Sequence, residues 1–192
     1  MTGAEFYQMY WNRSAGNTRR FHSEEWVGVP QTVGAHSWAV AQILLFVLGP
    51  TGLSMELLHA ALCHDMAERF LGDVPAPAKW ALNAGNYDKV ENRILESMGV
   101  GTSSITDLDR AHLKAADFLD ACFAAFEQRM MGNRLLEQVF ERLATHERKN
   151  PALLDCHPRF RVLYTQLLAA YQGMDNTLLE IGRSYLWENF QA

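Results

Sequence analysis

Two imidazoles and two carboxylates, His36, the adjacent pair His64 and Asp65, and Asp117, are the residues of this chain whose types combine into a chemistry. Imidazole nitrogen and carboxylate oxygen together suit one divalent cation, with positions left open for water or a ligand. All four sit in stretches that read as helix. His64 and Asp65 would lie about 100° apart around one helix axis, so a shared ion must sit beside that helix, between their two directions. His36 must then arrive from the preceding helix and Asp117 from a long later one. Each residue alone also has a plainer reading: a His on an apolar helical face is more often core than ligand, and a His-Asp dipeptide by itself means little.

Other polar residues cluster around these four in the sequence. Glu68 follows His64 by four positions and Asp65 by three, which stacks it one turn along the same helical face. A carboxylate there can touch a water or a leaving oxygen beside the ion without being a ligand; the alternative is an ion pair with Arg69 or Lys79. Arg19 and Arg20 precede Phe21, and a guanidinium fork fits phosphate oxygens. Arg20, next to the aromatic, is the better candidate. Trp38 either walls a pocket or packs in the core. Lys79 follows Pro75 and Pro77, which stiffen the loop that holds it. Asp73, after Gly72, suits a turn.

The elements that must position these groups follow helical spacing almost throughout. Val33, Val40, Ile43, Leu44 and Val47 form one stripe in a helix from Gln31 to Leu48. Ser54 can cap a helix running to about Phe70, with Leu58, Leu62 and Met66 on its apolar face. Further helices are expected at Asn86–Met98, Ile105–Met131, Asn133–Lys149, Arg159–Tyr171 and Thr177–Trp187, with a functional loop near residues 72 to 85. No alternating segment argues for a strand. The expected fold is all-α, one irregular bundle of roughly seven helices in a single domain, residues 1–192.

Composition narrows the function classes. The chain has 192 residues, 48% of them hydrophobic, and a net charge of −5, so a folded core is expected and a general nucleic-acid surface is not. Cys63, Cys122 and Cys156 show no CxxC spacing and read as free thiols. The N-terminus does not read as a signal peptide, and the longest apolar run, Ile43 to Leu48, is far short of the about 20 residues that span a bilayer. A cytoplasmic protein that binds neither membrane nor nucleic acid is the expectation. The absence of a Walker-type glycine loop excludes a P-loop NTPase.

The stretches RRFHSEEWVGVPQTVGAHSWAVAQ, ALCHDMAERFLGDVPAPAKW and LKAADFLDAC, from about Arg19 to Asp120, resemble the HD-domain metal-dependent phosphohydrolases that act on deoxynucleotides. Two branches come closest: the small phage dATP triphosphohydrolases and the bacterial 5′-deoxynucleotidases. The resemblance implies His36, His64, Asp65 and Asp117 as metal ligands and Glu68 in proton transfer. It implies Asp73 at the reacting phosphate or its water, and Arg20 and Lys79 as phosphate cations, with Arg19 beside them. Phe21 stands where the deoxynucleotidase pattern has Trp. Zn²⁺, Co²⁺, Mn²⁺ or Fe²⁺ suits the donor set, and Mg²⁺ suits it less well.

The implied reaction is attack of cation-activated water on the α-phosphorus, breaking the bond to the 5′ oxygen. The compact RRFH and VGAHSWAVA segments look most like the phage enzymes, and that resemblance implies dATP as substrate, giving deoxyadenosine and triphosphate. A 5′-deoxynucleotidase acting on monophosphates is the first alternative, and a noncatalytic nucleotide-binding scaffold is the alternative of another class. A homo-oligomer is also implied by the resemblance.

Overall fold

The computed structural model describes residues 2–75, 78–79, 84–101 and 105–173. These form α1 (Gly3–Ala15), α2 (Val33–Leu48), α3 (Met55–Cys63), a single-turn α4 (Glu68–Leu71), α5 (Ala84–Ser97), α6 (Asp107–Met130), α7 (Glu137–Lys149) and α8 (Pro158–Gly173), with 3-10 turns at Arg134–Leu136 and Pro151–Leu154. Among the described residues the one β-type pairing is an isolated antiparallel bridge between Arg19 and Thr32. The expected helix over Thr177–Trp187 and much of the expected loop near residues 72 to 85 lie outside the described residues.

The helices start where side chains can satisfy their first N–H groups. Thr32 caps α2, Ser54 caps α3, and Thr106 with Asp109 forms a capping box on α6. The same device at Thr2 and Glu5 starts α1, a helix the apolar spacing alone does not reveal. Gly99, at φ +69, ends the segment after α5 in a left-handed conformation that other residues adopt only with strain.

Helix α6 lies at the centre and packs against α2, α3, α7 and α8. Its buried Ala115, Ala116, Ala124 and Ala125, with Ala60 and Ala61 of α3 and Ala41 of α2, leave little side chain between backbones. The larger Leu44, Leu57, Leu119, Phe140, Leu154 and Phe160 fill the space between these contacts, each fully buried. A smaller cluster, Ala15, Cys63, Met66, Ala67, Leu95, Met98 and Val100, holds α1, α4 and α5 to the end of α3.

Two expectations about residues 54–70 are corrected. Leu62 is 45% exposed whereas Leu57, Ala60 and Ala61 are buried: the face α3 turns inward carries Leu57 with the small Ala60 and Ala61, and Leu62 falls outside it. The helix also stops at Cys63. Residues 64 to 67 are wound more tightly, with i→i+3 bonds from Met66 N–H to the Cys63 carbonyl and from Glu68 N–H to the Asp65 carbonyl (both 3.0 Å). His64 and Asp65 therefore stand on the turn at the end of α3.

Candidate metal centre

His36 is fully buried on α2, inside the stripe whose apolar members face α3 and α6. Its Nε2 lies 3.2 Å from His64 Nε2, 3.3 Å from Asp65 Oδ2 and 3.2 Å from Asp117 Oδ1. His64 Nε2 is 3.5 Å from Asp65 Oδ1. Donor atoms of His36, His64 and Asp65 all lie within 4.8 Å of one another. Asp117, from α6, joins through its contact with His36 and is the most open of the four, its side chain 44% exposed.

The far nitrogens decide what this cluster can hold. His64 Nδ1–H donates to the Ala61 carbonyl (2.9 Å) and His36 Nδ1–H donates to Asp120 Oδ2 (2.6 Å). A neutral ring held this way presents an Nε2 lone pair. Two lone pairs facing each other across 3.2 Å repel unless something positive lies between them. For zinc–nitrogen and zinc–oxygen bonds of about 2.0–2.1 Å, tetrahedral donors sit about 3.3–3.4 Å apart. The separations of 3.2–3.5 Å fit that requirement, so the donor set suits a divalent cation.

Charge argues the same way. Asp65, Asp117 and Asp120 surround His36, with Glu68 and Asp73 close by, and Arg20 is the cation that reaches into the ring. Burial disfavours a charged His36, yet hydrogen bonds to Asp117, Asp120 and Asp65 outweigh it and push its pKa up to about 11. Burial would likewise raise Asp65, but His64, His36 and Arg20 hold its carboxyl well below the usual range. Without a metal, the cluster draws a proton into its centre.

Arg20 sits 3.9 Å from both Asp65 and Asp117 and 3.5 Å from Asp120, with its side chain 11% exposed. Extended backbone separates it from Arg19, because successive side chains point to opposite faces. Arg20 N–H donates to the Gln31 carbonyl (2.9 Å), next to the Arg19–Thr32 bridge. Arg19 is left exposed, outside the cluster. Asp73 accepts the backbone N–H of Phe21 (2.6 Å), where Phe21 adopts a left-handed φ of +52, a strained state for a bulky residue. That bond ties the turn after α4 to the segment that carries Arg20.

Glu68 is 3% exposed, and its Oε2 has no hydrogen-bond partner among the described residues. Burial, then the charges of Asp65 and Asp73, push its pKa up to about 9 against the pull of Arg20 and Lys79. Lys79 pairs with Glu91 (3.3 Å) and lies over the Tyr87 ring, 4.8 Å from its centroid. Burial would lower its pKa, but Glu91, Asp65 and Glu68 together raise it. Trp38 is 63% exposed. Two positions along α2 turn it about 200° from His36, so it packs in no core and faces away from the cluster.

The sequence reading missed Asp120 and Gln31. Both lie within the motif stretches, and Asp120 follows Asp117 by three positions, one turn on the same face, which was the available signal.

No family model matches the chain. A dATP triphosphohydrolase of Salmonella phage PMBT28 is 36% identical over 113 residues, 50% of this chain and 55% of that protein; the chain thus spans about half the length of the curated relative it matches. Among solved structures, the PH0347 protein from Pyrococcus horikoshii OT3 superposes with a TM-score of 0.63 at 22% identity, covering 84% of this chain and 99% of that one. The HD phosphohydrolase DatZ of cyanophage S-2L, bound to dA and one catalytic Zn²⁺ ion, superposes with a TM-score of 0.62 at 18% identity, covering 85% and 96%. The fold is the all-α HD-domain bundle, and the sequence resembles a phage dATP triphosphohydrolase.

Proposed function

We propose that this protein is a metal-dependent deoxynucleotide phosphohydrolase that cleaves the 5′-ester bond, with dATP as preferred substrate and deoxyadenosine and triphosphate as products. The observation that carries the reading is the convergence of two imidazole Nε2 atoms and the Asp65 carboxylate, each imidazole tied down through its other nitrogen. The phage relative, by its name, and the dA-bound neighbour support the nucleotide and its base.

His36, His64, Asp65 and Asp117 would hold the ion, with Zn²⁺, Co²⁺, Mn²⁺ and Fe²⁺ as candidates. When bound, a divalent cation lowers the pKa of water and polarises a phosphoryl oxygen. The chain's own groups do the rest. Hydrolysis places the water oxygen on phosphorus and a proton on the departing 5′ oxygen. Glu68 is the proton carrier: its carboxyl is buried, burial with Asp65 and Asp73 favours its protonated form, and its Oε2 has no hydrogen-bond partner among the described residues. Arg20 offsets charge on the nonreacting phosphate oxygens, and Asp73 holds Arg20's segment against the site through Phe21. Lys79 meets the outer phosphates by exchanging Glu91 for them. Arg19, exposed beside Arg20, is assigned to substrate only as a secondary contact at the rim, and Trp38, which faces away from the cluster, is given no part in binding it.

Exposed Phe6, Tyr7, Tyr10 and Trp11 on α1, 40–64% accessible, support self-association, which light scattering would check. Among the described residues no helix is long and apolar enough to cross a membrane.

The test is a product-resolved assay of dATP and dAMP with Co²⁺, Mn²⁺, Zn²⁺ or Mg²⁺. Triphosphate from dATP is the expected result. Phosphate from dAMP with no triphosphate from dATP would replace the reading by a 5′-deoxynucleotidase. Inactivity on both, with no bound metal and a His64→Ala variant indistinguishable from wild type, would leave a noncatalytic scaffold.

A further inference from the structure

We infer that Asp120 is a positioning residue for the cation site: acting through His36, it fixes which ring nitrogen is offered and so sets how tightly the ion is held. The inference rests on the metal-site reading above.

Asp120 stands one turn after Asp117 on α6 and is 4% exposed. A buried carboxylate persists only where donors surround it, and here three converge on a single oxygen. Its Oδ2 accepts from His36 Nδ1 at 2.6 Å, from Gln31 Nε2 at 2.9 Å and from Arg20 Nη1 at 3.5 Å. Arg20 Nη1 also donates to Gln31 Oε1 (3.3 Å), so the three side chains brace one another. Asp120 meets His36 at the ring nitrogen that does not face His64, Asp65 and Asp117, which places it behind the ligand.

Two effects follow. The hydrogen bond locks the Nδ1–H form and the ring angle, so His36 Nε2 offers its lone pair to the other donors. The full negative charge also makes that nitrogen a better donor. His64 lacks this second effect, because its Nδ1–H meets the neutral Ala61 carbonyl. The two imidazoles are therefore unequal, with His36 the stronger ligand.

The experiment measures Zn²⁺ affinity by chelator competition, without substrate, for the whole chain and for Asp120→Ala, Asp120→Asn and Gln128→Ala. Gln128 is equally buried but bonds the Val27 backbone, away from the ligands. Asp120→Ala should weaken zinc binding about 10- to 100-fold. Asp120→Asn should fall between, since an amide oxygen still accepts from Nδ1–H but carries no charge. Gln128→Ala should leave zinc affinity unchanged, and the visible bands of the Co²⁺ form should shift in the Asp120 variants alone.

A wild-type chain that binds no zinc overturns the metal-site reading and this inference with it. A wild-type chain that binds zinc while Asp120→Ala binds equally well overturns this inference only, as does an equal loss in Gln128→Ala. If the Asp120 variants do not fold, NMR of the Zn²⁺-loaded wild type decides. A downfield, slowly exchanging Nδ1–H proton on His36 is expected, and its absence refutes the assignment.

Discussion

Glu68→Gln in metal-free protein should remove a specific part of the pH dependence of stability. The glutamate pKa rises from 4.5 to about 9 on folding, chiefly through burial and then through Asp65 and Asp73. Between those values the folded chain keeps a proton that the unfolded chain releases. Stability from this group is therefore greatest below pH 4.5, falls as pH rises, and levels off above about 9. The slope approaches 1.36 kcal/mol per pH unit, so from about pH 5 to about pH 6.5 the wild type should lose roughly 2 kcal/mol through Glu68. The full ceiling, about 6 kcal/mol, would be reached only near pH 9. His36, raised from 6.5 to about 11, adds a loss of the same sign, but its window opens only above about 6.5. Glu91 and Glu127, also raised by burial, lose stability over the same acidic window, so the difference between variant and wild type, and not the window itself, isolates Glu68. Urea unfolding followed by circular dichroism, with chelator present, supplies the free energies. Glutamine mimics the protonated acid at every pH, so the difference between variant and wild type should grow by roughly 2 kcal/mol across that interval. Parallel curves would refute the claim that Glu68 is held protonated.

Zn²⁺ at about 100 times its dissociation constant should stabilise the wild type by about 2.7 kcal/mol and His64→Ala far less, read as a shift in melting temperature. Asp73→Ala leaves the Phe21 N–H without its partner and frees Arg20's segment. It should cost about 1–3 kcal/mol in denaturant unfolding, and KM for dATP should rise. Gln128→Ala should cost a similar 1–3 kcal/mol, because the Val27 N–H and carbonyl and the Asn133 amide all bond to that side chain; unfolding midpoints check it.

The helical stripes, the Ser54 cap and the long central helix were legible because each is a local pattern with one physical cause. Thr2 and Glu5 offered an equally local signal for α1, but its aromatic residues leave no clean apolar stripe to complete it. Leu62 misled because periodicity marks apolar residues, whereas the close packing of α3 is set by Ala60 and Ala61, which carry weak hydropathy. The site was partly legible: types and order brought His36, His64, Asp65 and Asp117 into one hypothesis, and the coordinates bring three of them into mutual contact with Asp117 adjoining. The alternation that buries Arg20 and exposes Arg19 depends on the pairing of residues 19 and 32, a contact made across the loop. Asp120 could be placed beside Asp117 by its spacing, but its role could not be read for a related reason, since its partners Arg20, Gln31 and His36 stand 84 to 100 positions away.

The cluster also constrains how the molecule can fold. Helices α2, α3 and α6 meet through alanines and leucines on one side and through His36, His64, Asp65, Asp117 and Asp120 on the other. The apolar side stabilises the junction whatever the pH or metal content. The polar side does so only when positive charge enters, as a proton on His36 or as a metal ion, because the carboxylates otherwise repel across a partly buried interface. Arg20 neutralises part of that charge and cannot neutralise all of it. The bundle should therefore form without metal but hold its three central helices less firmly, and binding should release the proton that His36 retains. Ion capture and tightening of the α2–α3–α6 junction then become one event, so slower amide exchange at the His36 turn of α2 should accompany zinc uptake, and unchanged exchange there would break the link.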